Sequence, residues 1–311
     1  MISNEAISDV LGNRELGTAR HQNLMHLAAS TLAGHWHVNT LPWDTVPLFP
    51  FPENISGRRR KSFIEFGKHA VKVQLAAEHV ATTAARALLL QAEKENLDYS
   101  VRRAVAAVLN DEASHVAVMT EMDARAEAEY PDVPLDFSPS PLFAPFMDAI
   151  PTLHPGLTAL FMGAYEAMIA IRGYAEQASY GRPSILGQMA GHAAEDDGRH
   201  AKVMRLTAQE WLERFRAAQG PARFEETRRV ILDPIRRFWQ LLLQHEQYLL
   251  HYEARSSGEW YKRAKGDLAL TERILQLLEF SQEELAYADL RGLTEKAYEK
   301  METISMLMTS R

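Results

Sequence analysis

The sequence contains no cysteine, which excludes disulfide bonds, thiolate zinc sites, iron–sulfur clusters and cysteine nucleophiles. Any metal must therefore be bound through oxygen and nitrogen atoms. Glycine and proline are also scarce, with 16 and 14 residues among 311, while Ala, Leu, Glu and Arg are abundant. This composition predicts helices joined by short breaks, and hence an all-α fold.

The chain also lacks long apolar runs and concentrated basic charge. No stretch approaches the ~20 consecutive apolar residues of a membrane span, and Met1 to Arg20 lacks the apolar segment of a signal peptide. The formal net charge of −7 is spread along the sequence, without a basic face interleaved with aromatic residues. We therefore expect a cytoplasmic protein that binds neither nucleic acid nor a membrane.

The order of helical patterns and breaks predicts a single helical domain over residues 1–311. Residues 1–57 form an N-terminal segment, which ends in a proline-rich arm at 36–52 that we expect to be ordered but not helical. Residues 58–217 hold the four core helices, and residues 218–311 form peripheral C-terminal helices.

The four core helices are predicted to form two hairpins. In the first, Arg59 to Lys94 is followed by a helix that runs from an N-cap at Ser100 to about Glu127. In the second, a helix from about Gly156 to Tyr180 and another from about Ser184 to Ala217 are joined by a turn at 181–183. A long proline-rich connection separates the hairpins, and it is long enough to cross a bundle.

Each predicted core helix carries an acidic residue in an apolar setting, and two of them add a histidine three positions later. Residues three apart lie on the same helix face, so an acid-x-x-His pair can direct two ligands at one point. The candidates, in chain order, are Glu78, then Glu112 with His115, then Glu166, then Asp197 with His200.

The placement of these candidates within the hairpins is more informative than their number. Twelve histidines in a chain with 41 acidic residues give one or two acid-x-x-His pairs by chance. The position halfway between Glu78 and Glu112, however, is 95, beside the first predicted turn. The position halfway between Glu166 and Asp197 falls in the second turn. Each hairpin therefore brings its two carboxylates to the same height.

The surroundings of the candidates indicate that they face inward. Glu166 is the only charged residue between Leu157 and Ile171, and a lone buried carboxylate is costly unless it is paired or metal-bound. No lysine or arginine shares the faces that carry the candidates. Carboxylate and imidazole ligands suit divalent iron or manganese. Two such metals, bridged by carboxylates, can share the two-electron reduction of dioxygen.

The order Glu, Glu-x-x-His, Glu, acid-x-x-His resembles that of ferritin-like diiron carboxylate proteins. Within this group, the chain from Val46 to Leu206 most resembles the arylamine N-oxygenases related to the p-aminobenzoate and chloramphenicol-pathway enzymes. The resemblance rests on a proline-rich approach (VPLFPFP) to the first helix and on four segments. They are Ala76-Ala77-Glu78, Asn110-Asp111-Glu112-Ala113-Ser114-His115, Gly163-Ala164-Tyr165-Glu166, and His192 followed by Asp196-Asp197-Gly198-Arg199-His200.

This resemblance implies a ferritin-like four-helix bundle with two non-haem iron ions, or manganese, and dioxygen as co-substrate. It implies oxidation of an amine nitrogen (N-oxygenation or N-hydroxylation) of a small molecule or a carrier-bound amino acid in a biosynthetic pathway. We also expect an external electron donor and a homodimer. The implied metal ligands are Glu78, Glu112, His115, Glu166, His192, Asp197 and His200.

The last helix leaves one ligand open, because Asp196 is a rival to Asp197. On an ideal helix His192, Asp196 and His200 form one stripe, whereas Asp197 with His200 has the usual acid-x-x-His spacing. A π-bulge near Gly198 would reconcile the two arrangements. We favour Asp197 as the ligand.

Other functions stay open at this level. The same scaffold supports a different diiron oxidation, such as hydroxylation or desaturation. A ribonucleotide reductase small subunit needs a radical tyrosine, typically one turn after the first histidine, where this chain has Met119. Iron storage or binding without catalysis is a further alternative, although storage proteins are usually shorter and assemble into shells.

Overall fold

The structure, a computed structural model, describes residues 16–34, 38–50, 56–138, 140–179, 184–253 and 257–309. These residues are mostly helical and include no β-strand, which confirms the all-α prediction. None of these helices combines the length and the apolar character that a membrane span requires. The helices are α1 (Leu16–Gly34), α2 (Gly57–Lys94), α3 (Tyr99–Glu129), α4 (Ser140–Ala149), α5 (Pro155–Ser179), α6 (Ile185–Glu253), α7 (Ser257–Leu277), α8 (Gln282–Ala288) and α9 (Leu290–Thr309).

The chain divides into two compact units by its internal contacts. The hairpin unit comprises His21–Ile150 and Ile169–Val203, and the C-terminal unit comprises Met1–Arg20, Pro151–Met168 and Met204–Arg311. The boundaries pass through α1, α5 and α6, so each of these three helices takes part in both units. Neither unit coincides with the predicted segments 58–217 and 218–311, and a single domain stays a prediction.

Within the hairpin unit, α2 and α3 pack against each other in antiparallel orientation. The Nζ atom of Lys68 lies 2.8 Å from Glu127, and that of Lys72 lies 2.9 Å from Asp123. The partner of the later residue on α2 is thus the earlier residue on α3, as an antiparallel hairpin requires. Lys68 is fully buried and also donates to two backbone carbonyls beyond the end of α3. These contacts set the register of the hairpin.

The turn between α2 and α3 lies where the sequence predicts it, with one difference in capping. Asn96 adopts a left-handed conformation with φ 49°, and the N–H of Leu97 donates to the carbonyl of Ala92 at 2.9 Å. The predicted N-cap, Ser100, is wrong. Asp98 caps α3 instead, because its carboxylate accepts a hydrogen bond from the N–H of Ser100 at 2.8 Å.

Helix α6 spans Ile185–Glu253 but consists of two helical segments that meet at a kink. Gly220 at the kink has non-helical angles, φ 71° and ψ 164°, so the predicted end of the fourth core helix near Ala217 lies close to a real break, beyond which the chain is helical again to Glu253. The glycine therefore changes the direction of the helix, as its freedom at positive φ allows. The helix is α-helical at Gly198, and no π-helical turn occurs in the described residues, so a π-bulge does not reconcile the stripe of His192, Asp196 and His200 with the Asp197–His200 spacing.

The described part of the proline-rich arm, residues 38–50, is ordered and non-helical except for a short 3-10 turn at Val38–Thr40. Its other predicted residues, at 36–37 and 51–52, lie outside the described residues. Leu48 and Phe49 are buried in an apolar cluster with side chains of α3 and α6. The carbonyls of Pro47 and Leu48 accept hydrogen bonds from the first N–H groups of α6, at 3.0 and 3.1 Å. The arm therefore caps the start of α6.

Candidate metal centre

The hairpin unit buries a cluster of acidic and histidine side chains from three helices. Each of them is at most 4% exposed, although carboxylates are seldom buried without a partner. The register of the α2–α3 hairpin brings the middle of α2 beside the middle of α3, which places the members on these two helices next to each other. The members are Glu78 on α2, Asp111, Glu112 and His115 on α3, and Asp196, Asp197 and His200 on α6.

Glu112 lies between the two imidazoles of the cluster. Its Oε2 is 3.6 Å from Nδ1 of His115, and its Oε1 is 2.5 Å from Nδ1 of His200. The two rings are 5.9 Å apart between centroids. One carboxylate therefore faces two imidazole nitrogens with its two oxygens.

Two sets of potential ligand atoms share this carboxylate. Glu78, Glu112 and His115 each offer one atom, and these atoms lie within 4.8 Å of one another. Glu112, Asp197 and His200 likewise each offer an atom within 4.8 Å of the others. The arrangement thus provides a ligand set on either side of Glu112. Each set contains oxygen and nitrogen donors, as divalent iron or manganese prefers.

The outer nitrogens of the imidazoles form a reciprocal pair of contacts. Nε2 of His115 on α3 lies 3.2 Å from Oδ2 of Asp196 on α6. Conversely, Nε2 of His200 on α6 lies 2.9 Å from Oδ2 of Asp111 on α3. Each imidazole is thus held at Nε2 by a carboxylate of the opposite helix, with Nδ1 on the side of Glu112. Asp111, His115 and Asp196 also form a third set of atoms within 4.8 Å.

The two adjacent aspartates of α6 have different environments. Asp196 contacts His115 and also the guanidinium of Arg199, so the prediction that no arginine accompanies the candidates is wrong. Asp197 is equally buried, and its Oδ2 has no hydrogen-bond partner among the residues that the structure describes. Asp196 is therefore already neutralised, while Asp197 retains a buried oxygen for a cation.

Burial and mutual interactions shift the pKa values in opposite directions. Burial would raise the pKa of Glu112, but the imidazoles of His200 and His115 lower it below its ordinary value. Burial raises the pKa of Glu78, and burial with the charges of Glu78 and Glu112 raises that of Asp197 well above its ordinary value. Burial lowers the pKa of His115, but Glu78 and Glu112 raise it well above its ordinary value. A divalent cation bound among these side chains would offset the same buried negative charge.

The two remaining predicted ligands are placed differently. Glu166 is 2% exposed on α5 and belongs by its contacts to the C-terminal unit. Its place beside the cluster stays a prediction, and the turn at 181–183 lies outside the described residues. His192 is on the exposed side of α6 and in none of the three ligand sets. Five residues along a regular helix turn it about 140° away from Asp197.

Two contributors were missed at the sequence level, Asp111 and Gln74. Asp111 precedes Glu112 as Asp196 precedes Asp197, so both helices read Asp-acid-x-x-His. The sequence could have indicated the reciprocal contacts through this repeated pattern. Gln74, whose Nε2 donates to Glu78 at 2.7 Å, has no comparable signal, because a glutamine one turn before a glutamate is common on helices.

Comparisons with known proteins returned nothing: no family model, curated protein sequence or solved structure matches the chain. The cluster itself, a group of buried acids and histidines that could hold a metal ion, is therefore what bears on function.

Proposed function

We propose that this chain is a non-haem diiron oxygenase, which binds two iron ions in the buried cluster, activates dioxygen and oxidises an amine nitrogen. The observation that carries the proposal is the position of Glu112, which faces an imidazole nitrogen with each of its two oxygens. Ligand sets on both sides of one carboxylate suit two adjacent metal ions better than a single ion.

The described residues fit such a group. Glu78, Glu112 and His115 would hold one metal ion, and Glu112, Asp197 and His200 the other. Glu166, buried on α5, is retained as the further carboxylate that the sequence pattern predicts. Two iron ions, when bound, supply the electrons for reducing dioxygen. The ferritin-like arrangement of the four core helices is part of the same proposal.

The residues of the chain serve the proposed reaction in two ways. Asp111 and Asp196 hold the outer nitrogens of the imidazoles, which keeps both Nδ1 atoms directed at Glu112. The cluster side chains are almost fully buried, and Met119, one turn after His115, is buried as well. Exclusion of water protects a reactive site from side reactions. A methionine at this position supports an oxygenase over a reductase that depends on a radical tyrosine.

The amine substrate follows from the family resemblance between Val46 and Leu206. In the proposed reaction one oxygen atom of dioxygen is inserted at the amine nitrogen and the other leaves as water. This balance requires two electrons and two protons from outside the substrate. An external electron donor is therefore part of the proposal, and the substrate is a small amine or a carrier-bound amino acid.

The test is anaerobic titration with ferrous iron, metal analysis, and rapid mixing with dioxygenated buffer, followed by a panel of amines. We expect about two iron ions per chain, an oxygen-dependent absorption change, and faster decay of that change with one class of amine. Mass spectrometry after incubation with ¹⁸O₂ should find one labelled oxygen on the amine nitrogen. A chain that binds no stoichiometric iron would rule out the proposal.

The Glu121→Gln variant is a matched control for this experiment. Glu121 lies on α3, like Glu112, but pairs with Arg125 at a partly exposed position. Its iron stoichiometry and oxygen reaction should equal those of the wild type.

A wild-type chain that binds iron and consumes dioxygen, but places the labelled oxygen only on a carbon atom of the substrate, would show hydroxylation and contradict N-oxygenation.

A further inference from the structure

Gln74 lies one turn before Glu78 on α2 and contacts its carboxylate. The side-chain amide donates from Nε2 to Oε1 of Glu78 at 2.7 Å. The other oxygen of the same carboxylate, Oε2, lies 3.3 Å from Nδ1 of His115. The two oxygens of Glu78 therefore have distinct neighbours, an uncharged amide on one side and the cluster on the other.

This contact limits the modes in which the carboxylate of Glu78 can bind a metal ion. A carboxylate can bind one metal through one oxygen, chelate it through both, or bridge two metals. A donor held on Oε1 opposes the last two modes, because either would require that oxygen to leave the amide. Gln74 is partly buried, so its hydrogen bond competes with little bulk water.

We propose that Gln74 is a positioning residue of the metal centre, which holds Oε1 of Glu78 so that only Oε2 is presented to the metal beside His115. The proposal rests on the proposed function, because it assigns Gln74 a role toward a metal ion. It makes the two metal positions unequal: the position of Glu78 has an amide-restrained carboxylate, whereas the buried Oδ2 of Asp197 has no hydrogen-bond partner among the described residues.

The same helix offers a matched control. Gln91, in the last turn of α2, donates from Nε2 to Oε1 of Glu95, the residue that follows the helix, at 2.5 Å, again four residues apart but at an exposed position away from the cluster. Replacing Gln91 by methionine removes a glutamine–glutamate hydrogen bond of the same spacing without touching a candidate ligand. Any effect common to Gln74→Met and Gln91→Met therefore reports on the helix and not on the metal centre.

The experiment is anaerobic titration of the full-length wild type, Gln74→Met and Gln91→Met with Co²⁺, followed by visible absorption and calorimetry. Urea unfolding of each metal-free protein accompanies the titration. We expect two Co²⁺ ions per wild-type chain. In Gln74→Met one of them should bind 10- to 100-fold more weakly and with a changed absorption band, as loss of an outer-shell partner predicts. Gln91→Met should match the wild type.

Each outcome decides a different point. Wild-type affinities and spectrum in Gln74→Met, or equal changes in Gln91→Met, would overturn the role of Gln74 and leave the proposed function standing. A wild type that binds neither Co²⁺ nor ferrous iron would overturn the proposed function itself. Gln74→Asn, which keeps an amide but withdraws it by one methylene, replaces Gln74→Met if that variant does not fold, and the same weakening is expected.

Discussion

The two units of the molecule bury acidic side chains beside different partners. In the C-terminal unit, Asp267 is 4% exposed, and its carboxylate lies 2.8 Å from Arg205 and 3.4 Å from Arg263. In the hairpin unit, Glu112 is fully buried and faces the imidazoles of His115 and His200. A guanidinium keeps its charge at any ordinary pH, whereas an imidazole can release its proton and bind a metal.

A buried acid is therefore not evidence of a metal site by itself. Glu210, also in the C-terminal unit, accepts from the guanidinium of Arg20 at 2.8 Å and resembles Asp267 in this respect. The chemical type of the partner distinguishes a structural ion pair from a candidate ligand set. Substitutions in the two units should accordingly alter different properties.

The largest effect is expected from Glu112→Gln. The amide keeps the shape of the side chain but loses the charge and one acceptor oxygen of the residue shared by both ligand sets. Both metal ions should be lost at micromolar protein, a larger change than the 10- to 100-fold expected for an outer-shell partner. Metal analysis after anaerobic loading measures this effect. Retention of two ions would show that Glu112 does not bridge them.

The next effect separates the adjacent aspartates of α6. Asp197→Asn should remove one of two metal ions, because Asp197 belongs to the ligand set of His200. Asp196→Asn should retain both ions with affinity reduced about 10- to 100-fold, because Asp196 contacts the outer nitrogen of His115. Calorimetric titration of both variants measures the difference. The reverse result would make Asp196 the ligand.

Asp267→Ala tests the other half of the comparison. Removing this carboxylate leaves Arg205 and Arg263 without their shared partner in a buried setting, which should cost about 3–5 kcal/mol of unfolding free energy. The metal stoichiometry should stay that of the wild type. Urea unfolding and metal analysis of the same preparation test both parts, and loss of metal with retained stability would contradict them.

A smaller effect is expected in the pH dependence of stability. Burial raises the pKa of Asp267 to about 6, although the arginines lower it. An aspartate in the unfolded chain titrates near 4, so the folded protein holds the proton more tightly. The associated stability, about 3 kcal/mol at most, is present below about pH 4 and is lost as the pH rises through about 6. Unfolding experiments across this range should show a shallower decline for Asp267→Asn.

The smallest effect is expected for His192→Ala. This imidazole is exposed and lies in none of the ligand sets, unlike His115 and His200. Metal stoichiometry should be unchanged, and stability should differ by less than about 0.5 kcal/mol. Loss of a metal ion from this variant would restore the family-derived prediction that His192 is a ligand.

The sequence predicted the core helices well where apolar periodicity was long. Arg59 to Lys94 was expected for α2, and Gly57–Lys94 is observed. The N-terminal region was predicted less well, because the helix α1 (Leu16–Gly34) was not expected. Helix starts depend on local capping and on tertiary packing that propensity does not contain.

The site shows a similar division between prediction and observation. Glu78, Glu112, His115, Asp197 and His200 were predicted from spacing, and the structure brings them together in the hairpin unit. The reciprocal contacts of Asp111 and Asp196, the pairing of Arg199 and the exposure of His192 were not predicted. Each depends on how α3 and α6 are rotated about their axes.

What the sequence by itself determined was the helical class and the height of each candidate along its helix. The number of residues from Glu78 and from Glu112 to the turn sets these heights, because an α-helix rises by a constant amount per residue. Only the tertiary structure decided which atoms meet. Because of helix rotation, side-chain direction and burial, Asp196 contacts an imidazole and an arginine, whereas Oδ2 of Asp197 has no hydrogen-bond partner among the described residues. For the same reason the amide of Gln74 contacts the carboxylate of Glu78.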